Sequence, residues 1–214
     1  MFDKKMLSLY LVTDDNQLKG RNFFDIIETA VKGGVTMVQL REKNSNSREF
    51  YEKALKCKEI IKRYKIPLII NDRVDIALAV NADGIHVGQK DIPVEVVKKI
   101  VGDTMIVGAT ANTVELAKEA QKQGADYVGA GAVFPTSTKL DAKFLSLEEL
   151  KKISEGISIP VVAIGGISYD NAETLKDTKI AGIAVSSAIM GKENVQEASE
   201  KLKKLVLSKL IPLY

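Results

Sequence analysis

Short, mostly apolar runs alternate with amphipathic segments along the whole chain. The runs cover residues 7–12, 35–40, 67–70, 84–87, 105–107, 127–129, 161–164 and 180–185. Each reads as a strand buried on both faces, because a half-exposed strand would alternate apolar with polar positions. Between them, residues 23–32, 48–64, 74–80, 94–100, 113–123, 147–154, 171–176 and 195–207 carry apolar positions at helical spacing, as in the stripe Leu116, Ala117 and Ala120. Eight strand–helix units with no linker between them predict a closed α/β (β/α)8 TIM barrel, one catalytic domain over residues 1–214. The rival, an open doubly wound sheet, loses ground because no strand runs into G-x-G-x-x-G. The nearest approach, Gly129-Ala130-Gly131-Ala132-Val133-Phe134, departs at its last position.

Weak repeats support the barrel. Gly33-Gly34-Val35, Asn81-Ala82-Asp83-Gly84, Gly124-Ala125-Asp126-Tyr127 and Ala181-Gly182-Ile183 recur where helices run into strands. Gly or Asn at these points suits a left-handed helix end.

Composition narrows the function classes. The 214 residues hold 31 Lys plus Arg against 28 Asp plus Glu, a net charge of +3, too small for a general nucleic-acid binder. Hydrophobic residues make up 45% and Gly and Pro are few, which excludes low-complexity and collagen-like chains. The one cysteine, Cys57, cannot form an intramolecular disulfide and suits a reducing cytoplasm. No apolar run approaches the ~18 residues of a membrane span. A homo-oligomer is left open.

Polar chemistry gathers after the strands, where barrels place their active sites. Gln39, Arg41 and Lys43 are spaced by two, so an extended segment aims them the same way, as an anion clamp or as merely solvated charges. Asn71 and Asp72 end the third strand, and His86, Gln89 and Asp91 follow within and after the fourth. Two carboxylates with few other ligands suit Mg²⁺, although either Asp72 or Asp91 could instead cap the helix behind it. The 135–139 loop holds Thr136, Ser137, Thr138 and Lys139, a candidate diphosphate cradle or an exposed turn. Gly165-Gly166 admits close backbone approach, and Ser186-Ser187 would complete a phosphate site at the start of the last helix. His86 is the only histidine and suits a hydrogen-bonded core position at least as well as a catalytic one. Cys57, among lysines on a helix, reads as inert.

In their order and spacing, Gln39-Leu40-Arg41-Glu42-Lys43, Asn71-Asp72, Gly88-Gln89-Lys90-Asp91, Pro135-Thr136-Ser137-Thr138-Lys139 and Ile164-Gly165-Gly166-Ile167 resemble the thiamine-phosphate synthase family. The resemblance covers nearly the whole chain. It implies a transferase that joins 4-amino-2-methyl-5-(diphosphooxymethyl)pyrimidine to a thiazole ethyl phosphate or its carboxylate. The pyrimidine diphosphate would ionise first, and the thiazole nitrogen would then attack. By the same resemblance Asp72 and Asp91 hold Mg²⁺. Arg41, Lys43, Asn71, Thr110 and Lys139 contact the pyrimidine diphosphate, with Gln39 near its ring. Arg41, Lys43 and Lys139 stabilise the departing charge. Thr136 and Thr138 hold the thiazole side, and Gly166, Ser186 and Ser187 its phosphate. The chain departs from the family in carrying Thr110 in place of Ser and Ser186 in place of a bulky apolar residue. The related thiazole tautomerases fit poorly, since they lack the two acids and use a histidine where Asn112 stands.

Overall fold

A computed structural model describes residues 2–136 and 144–211. Eight parallel strands close into a barrel in chain order. They are β1 (Leu9–Val12), β2 (Met37–Leu40), β3 (Leu68–Asn71), β4 (Gly84–Val87), β5 (Ile106–Thr110), β6 (Tyr127–Ala130), β7 (Val161–Ile164) and β8 (Gly182–Val185). The helices are α1 (Phe23–Lys32), α2 (Ser47–Lys62), α3 (Val74–Ala79), α4 (Val94–Val101), α5 (Val114–Lys122), α6 (Leu147–Gly156), α7 (Ser187–Met190) and α8 (Val195–Leu205).

Alternation within each strand sorts side chains into two cores. Leu9, Leu11, Val38, Leu40, Ile85, Val107, Val128 and Ile183 face outward and pack under the helices. Tyr10, Val12, Met37, Ile69, Tyr127, Val162 and Ala184 face inward and fill the barrel. The helices start where local chemistry tells them to. Asn46 and Ser146 each form a capping box with the glutamate three residues on, Glu49 and Glu149.

Three expectations need correction. Leu7, expected to open the first strand, instead ends a 3-10 turn, Lys4–Leu7, and packs among the inward-facing side chains of the barrel. The segment expected as a helix at 171–176 is a 3-10 turn, Ala172–Leu175. Ser186 and Ser187 open the one-turn α7, not the last helix, α8. The left-handed helix ends fall on Gly34, Asn81 and Gly124 as the repeats suggested. The fourth falls on Lys179, ahead of Ala181-Gly182.

The Ala-Asp repeats have a bracing role at the strands' N-terminal ends. Asp83 Oδ2 accepts the Leu68 N–H at 2.8 Å, and Asp126 Oδ2 accepts the Val107 N–H at 2.7 Å and pairs with Lys98. Each carboxylate stitches its strand to the preceding one. Charge at that end of the barrel is therefore spent on structure.

Candidate active site at the strand C-terminal ends

The barrel opens into a cavity at the C-terminal ends of its strands. Gln39, Arg41, Asn71, Thr110, Thr136, Gly166, Ser186 and Ser187, all singled out from sequence, line this one cavity. Among the five arginines only Arg41 does so. Arg73 pairs with Asp75, Arg63 with Glu28 and Arg48 with Glu52, and Arg21 binds backbone carbonyls including those of Met190 and Lys192. Thr138 and Lys139 lie outside the described residues, so the proposed cradle is represented there by Thr136 alone.

β2 ends at Leu40, so Arg41 and Lys43 stand on the loop above it. That loop is held from both sides. The Arg41 N–H donates to the buried Thr13 hydroxyl at 3.0 Å, a residue with no role assigned from sequence. Beneath it the Glu42 carboxylate, 5% exposed, pairs with Lys53 at 2.6 Å, and Lys53 also reaches Asp15 and lies over the Phe23 ring. Clamping Glu42 on the helix side turns Arg41 toward the cavity and Lys43 toward Asp72.

Lys43 Nζ then reaches Asp72 Oδ2 at 2.5 Å. Asp72 follows the cavity residue Asn71 and has φ 61°, a left-handed backbone that Asp tolerates better than most residues. Neither acid caps a helix. Arg73 and Pro93 stand at the starts of α3 and α4, and neither start carries a side-chain cap. Asp91 instead closes a turn, its Oδ2 accepting the Gly88 N–H at 2.8 Å. Burial, and then the nearby Asp72 carboxylate, push the Asp91 carboxyl above the usual carboxylate range, against the pull of the Gly88 N–H and Lys43. The two carboxylates are therefore neighbours, and Lys43 pairs with that of Asp72.

On the opposite wall, Gly165 and Gly166 have φ 97° and 64°. A Cβ on Gly166 would overlap the carbonyl oxygens of Phe134 and Pro135, so the pair admits the loop after β6 as well as lining the cavity. Ser186 Oγ is buried on this wall with no hydrogen-bond partner among the described residues.

Below the mouth runs a polar chain that the sequence hid. Gln39 Nε2 donates to Tyr10 Oη at 2.8 Å, Tyr10 and Tyr127 hydroxyls are 2.8 Å apart, and Tyr127 Oη lies 3.0 Å from His86 Nδ1. His86 Nε2 lies 2.9 Å from Thr110 Oγ1. Register makes the chain possible. His86 pairs with Gly108 and Gly108 with Tyr127, and the missing side chain at Gly108 leaves room for the Tyr127 ring. Burial pushes both phenols up, so both keep their protons at neutral pH. Tyr10 and Tyr127 sat in apolar runs that gave no sign of this. Cys57 is fully buried and its thiol is pushed up to about 12 by that burial, in keeping with an inert residue.

Comparison with known proteins places the chain in a family. The family model described as thiamine monophosphate synthase matches residues 9–189. The thiamine-phosphate synthase of Clostridium tetani is 58% identical over 195 residues, 91% of this chain and 93% of that one. That of Alkaliphilus oremlandii is 54% identical over 195 residues, again 91% and 93%. The solved thiamine phosphate pyrophosphorylase from Pyrococcus furiosus is 46% identical, with a TM-score of 0.87 over 95% of this chain and 96% of that one.

Proposed function

The chain belongs to the thiamine monophosphate synthase family, and from that premise we propose that the cavity at the barrel mouth is where its two substrates meet. The protein is a transferase of thiamine biosynthesis. It condenses 4-amino-2-methyl-5-(diphosphooxymethyl)pyrimidine with thiazole ethyl phosphate, or its carboxylate, to give thiamine phosphate and diphosphate. The C–O bond to diphosphate breaks first, and the thiazole nitrogen then attacks the pyrimidine cation.

One observation carries the placement of the site: a single cavity has cationic and amide groups on one wall and glycine and serine groups on the other. On the first wall Arg41, and from the loop beside it Lys43, bind the diphosphate and stabilise the charge it gains as it leaves. Asn71 and Thr110 hydrogen-bond to the same substrate, and Gln39 lies near its ring. Lys139, on the segment outside the described residues, is assigned to the same diphosphate by family resemblance, as Thr138 is to the thiazole. On the second wall, Thr136 holds the thiazole, and Gly166, Ser186 and Ser187 take its phosphate. The buried Ser186 hydroxyl, without a partner among the described residues, suits an incoming phosphate oxygen. No side chain need act as nucleophile.

Asp72 and Asp91 are the proposed Mg²⁺ ligands. The donor set fits: two neighbouring carboxylates that follow β3 and β4, Asp72 and Asp91. Such a site leaves Mg²⁺ the waters and phosphate oxygens it prefers. Lys43 against Asp72 supports a place already tuned to positive charge. When bound, Mg²⁺ would add to the neutralisation of the departing diphosphate.

Among the described residues no helix is long and apolar enough to cross a membrane. The buried thiol of Cys57 supports a reducing compartment, the cytoplasm. The deciding experiment incubates the purified chain with both substrates and Mg²⁺ and measures thiamine phosphate and diphosphate. Equal amounts of the two products are expected, and no product at saturating substrate would overturn the assignment. Sedimentation of the same preparation distinguishes a single barrel from a homo-oligomer.

A further inference from the structure

The buried chain Gln39–Tyr10–Tyr127–His86–Thr110 joins two cavity-lining residues through three groups that the reaction does not use directly. Its members can be satisfied in only two senses, because each phenol has one proton and a neutral imidazole has one N–H. The Gln39 amide chooses between them. It donates Nε2–H to Tyr10, so the Tyr10 proton must go to Tyr127. Were Tyr127 to donate to Tyr10 instead, the Tyr10 proton would be orphaned in a wholly buried place, which burial penalises. The Tyr127 proton then goes to His86 Nδ1, which must be bare, and the ring's proton sits on Nε2, donated to Thr110 Oγ1. Having accepted that bond, Thr110 turns its own proton elsewhere, and it lines the cavity.

We propose that Gln39 sets a one-way hydrogen-bond chain in which His86 is the neutral Nε2–H tautomer and the Thr110 hydroxyl is held as a donor to the cavity. Tyr10, Tyr127 and His86 are then positioning residues for the pyrimidine diphosphate. The chemistry matches the ligand, since a phosphate oxygen accepts and never donates. The mixed alternative, a Thr110 hydroxyl spent on His86, would present only lone pairs to an anion. This inference rests on the proposed placement of the pyrimidine diphosphate at the Gln39–Thr110 wall, although the tautomer itself does not.

His86 is the only histidine in the chain, so the test is direct. Long-range ¹H–¹⁵N correlation on the untagged full chain should show a protonated Nε2 and a bare Nδ1. A ring protonated on Nδ1, or on both nitrogens at neutral pH, overturns the proposal. Tyr127→Phe removes the donor to Nδ1 and should mix the two tautomers. It should raise KM for the pyrimidine diphosphate roughly three- to tenfold, as for one lost hydrogen bond, and leave KM for the thiazole phosphate unchanged. Thr110→Val, which deletes the hydroxyl, should raise the pyrimidine KM more than Thr110→Ser, which keeps it. Equal KM in Tyr127→Phe and wild type, with an unchanged ring signature, also overturns the proposal. A chain that made no thiamine phosphate would still report its tautomer, so the two readings fail separately.

Discussion

Lys43 Nζ stands 2.5 Å from Asp72 Oδ2, and Asp72 meets it from a left-handed backbone at φ 61°. An ammonium, two acids and a cavity that also holds Arg41 thus share one rim, and charge there can be removed without removing the turn.

Asp72→Asn keeps a residue that tolerates the left-handed region while deleting the charge. Synthase activity should fall roughly 10²-fold, with thermal stability nearly unchanged. Asp91→Asn should do the same. Initial rates across a Mg²⁺ titration check both, and wild-type titration curves in the two variants would refute the metal assignment.

Arg41→Lys retains the charge but loses the planar fork suited to phosphate oxygens. The expected drop in kcat/KM for the pyrimidine diphosphate is roughly tenfold or more. KM for the thiazole phosphate should hold. Steady-state kinetics with each substrate varied in turn separates the two effects.

Ser186→Ala should move stability and binding in opposite directions. Its hydroxyl is buried without a partner among the described residues, so removing it relieves about 1 kcal/mol or less in the free protein. KM for the thiazole phosphate should nevertheless rise. A thermal melt alongside KM tests the pair of signs, and a lowered Tm with unchanged KM would count against a phosphate contact.

Gly108→Ala would drive a methyl group into the Tyr127 ring. Overpacking of this kind costs about 1–3 kcal/mol, read as a lower urea midpoint. The displaced phenol should also break the line from Tyr10 to His86, which would show in the His86 ring signals.

Lys53→Met leaves the nearly buried Glu42 carboxylate without its cation. Losing one partner of a buried pair costs about 3 kcal/mol. Urea denaturation measures it. A loosened loop should also weaken the pyrimidine diphosphate more than the thiazole phosphate, because Arg41 and Lys43 flank Glu42.

Much of the barrel was legible in the chain. The helical period placed α1 at both its ends, and the apolar runs put every strand within a few residues of its observed place. Where they slipped, a local signal was overridden. Leu7 is apolar like its neighbours in β1, yet it packs among the inward-facing side chains from a 3-10 turn. The candidate site was legible as a one-sided gathering of polar residues. The helix-cap alternatives for Asp72 and Asp91 could not be separated from it, because a carboxylate before a helix looks the same in sequence whether it turns to a backbone N–H or to Lys43.

The sequence by itself determined the order of elements and the end of the barrel that carries chemistry, since both follow from periodicity and from which residues trail each apolar run. Only the tertiary structure decided who meets whom inside. Tyr10 and Tyr127 lie 117 residues apart, and their hydroxyls touch because barrel closure and register turn both inward at one height, beside a glycine that leaves the space. Local pattern tells which face a side chain takes. The partner it finds there depends on the stagger of eight strands, a property of the closed sheet and of no single segment.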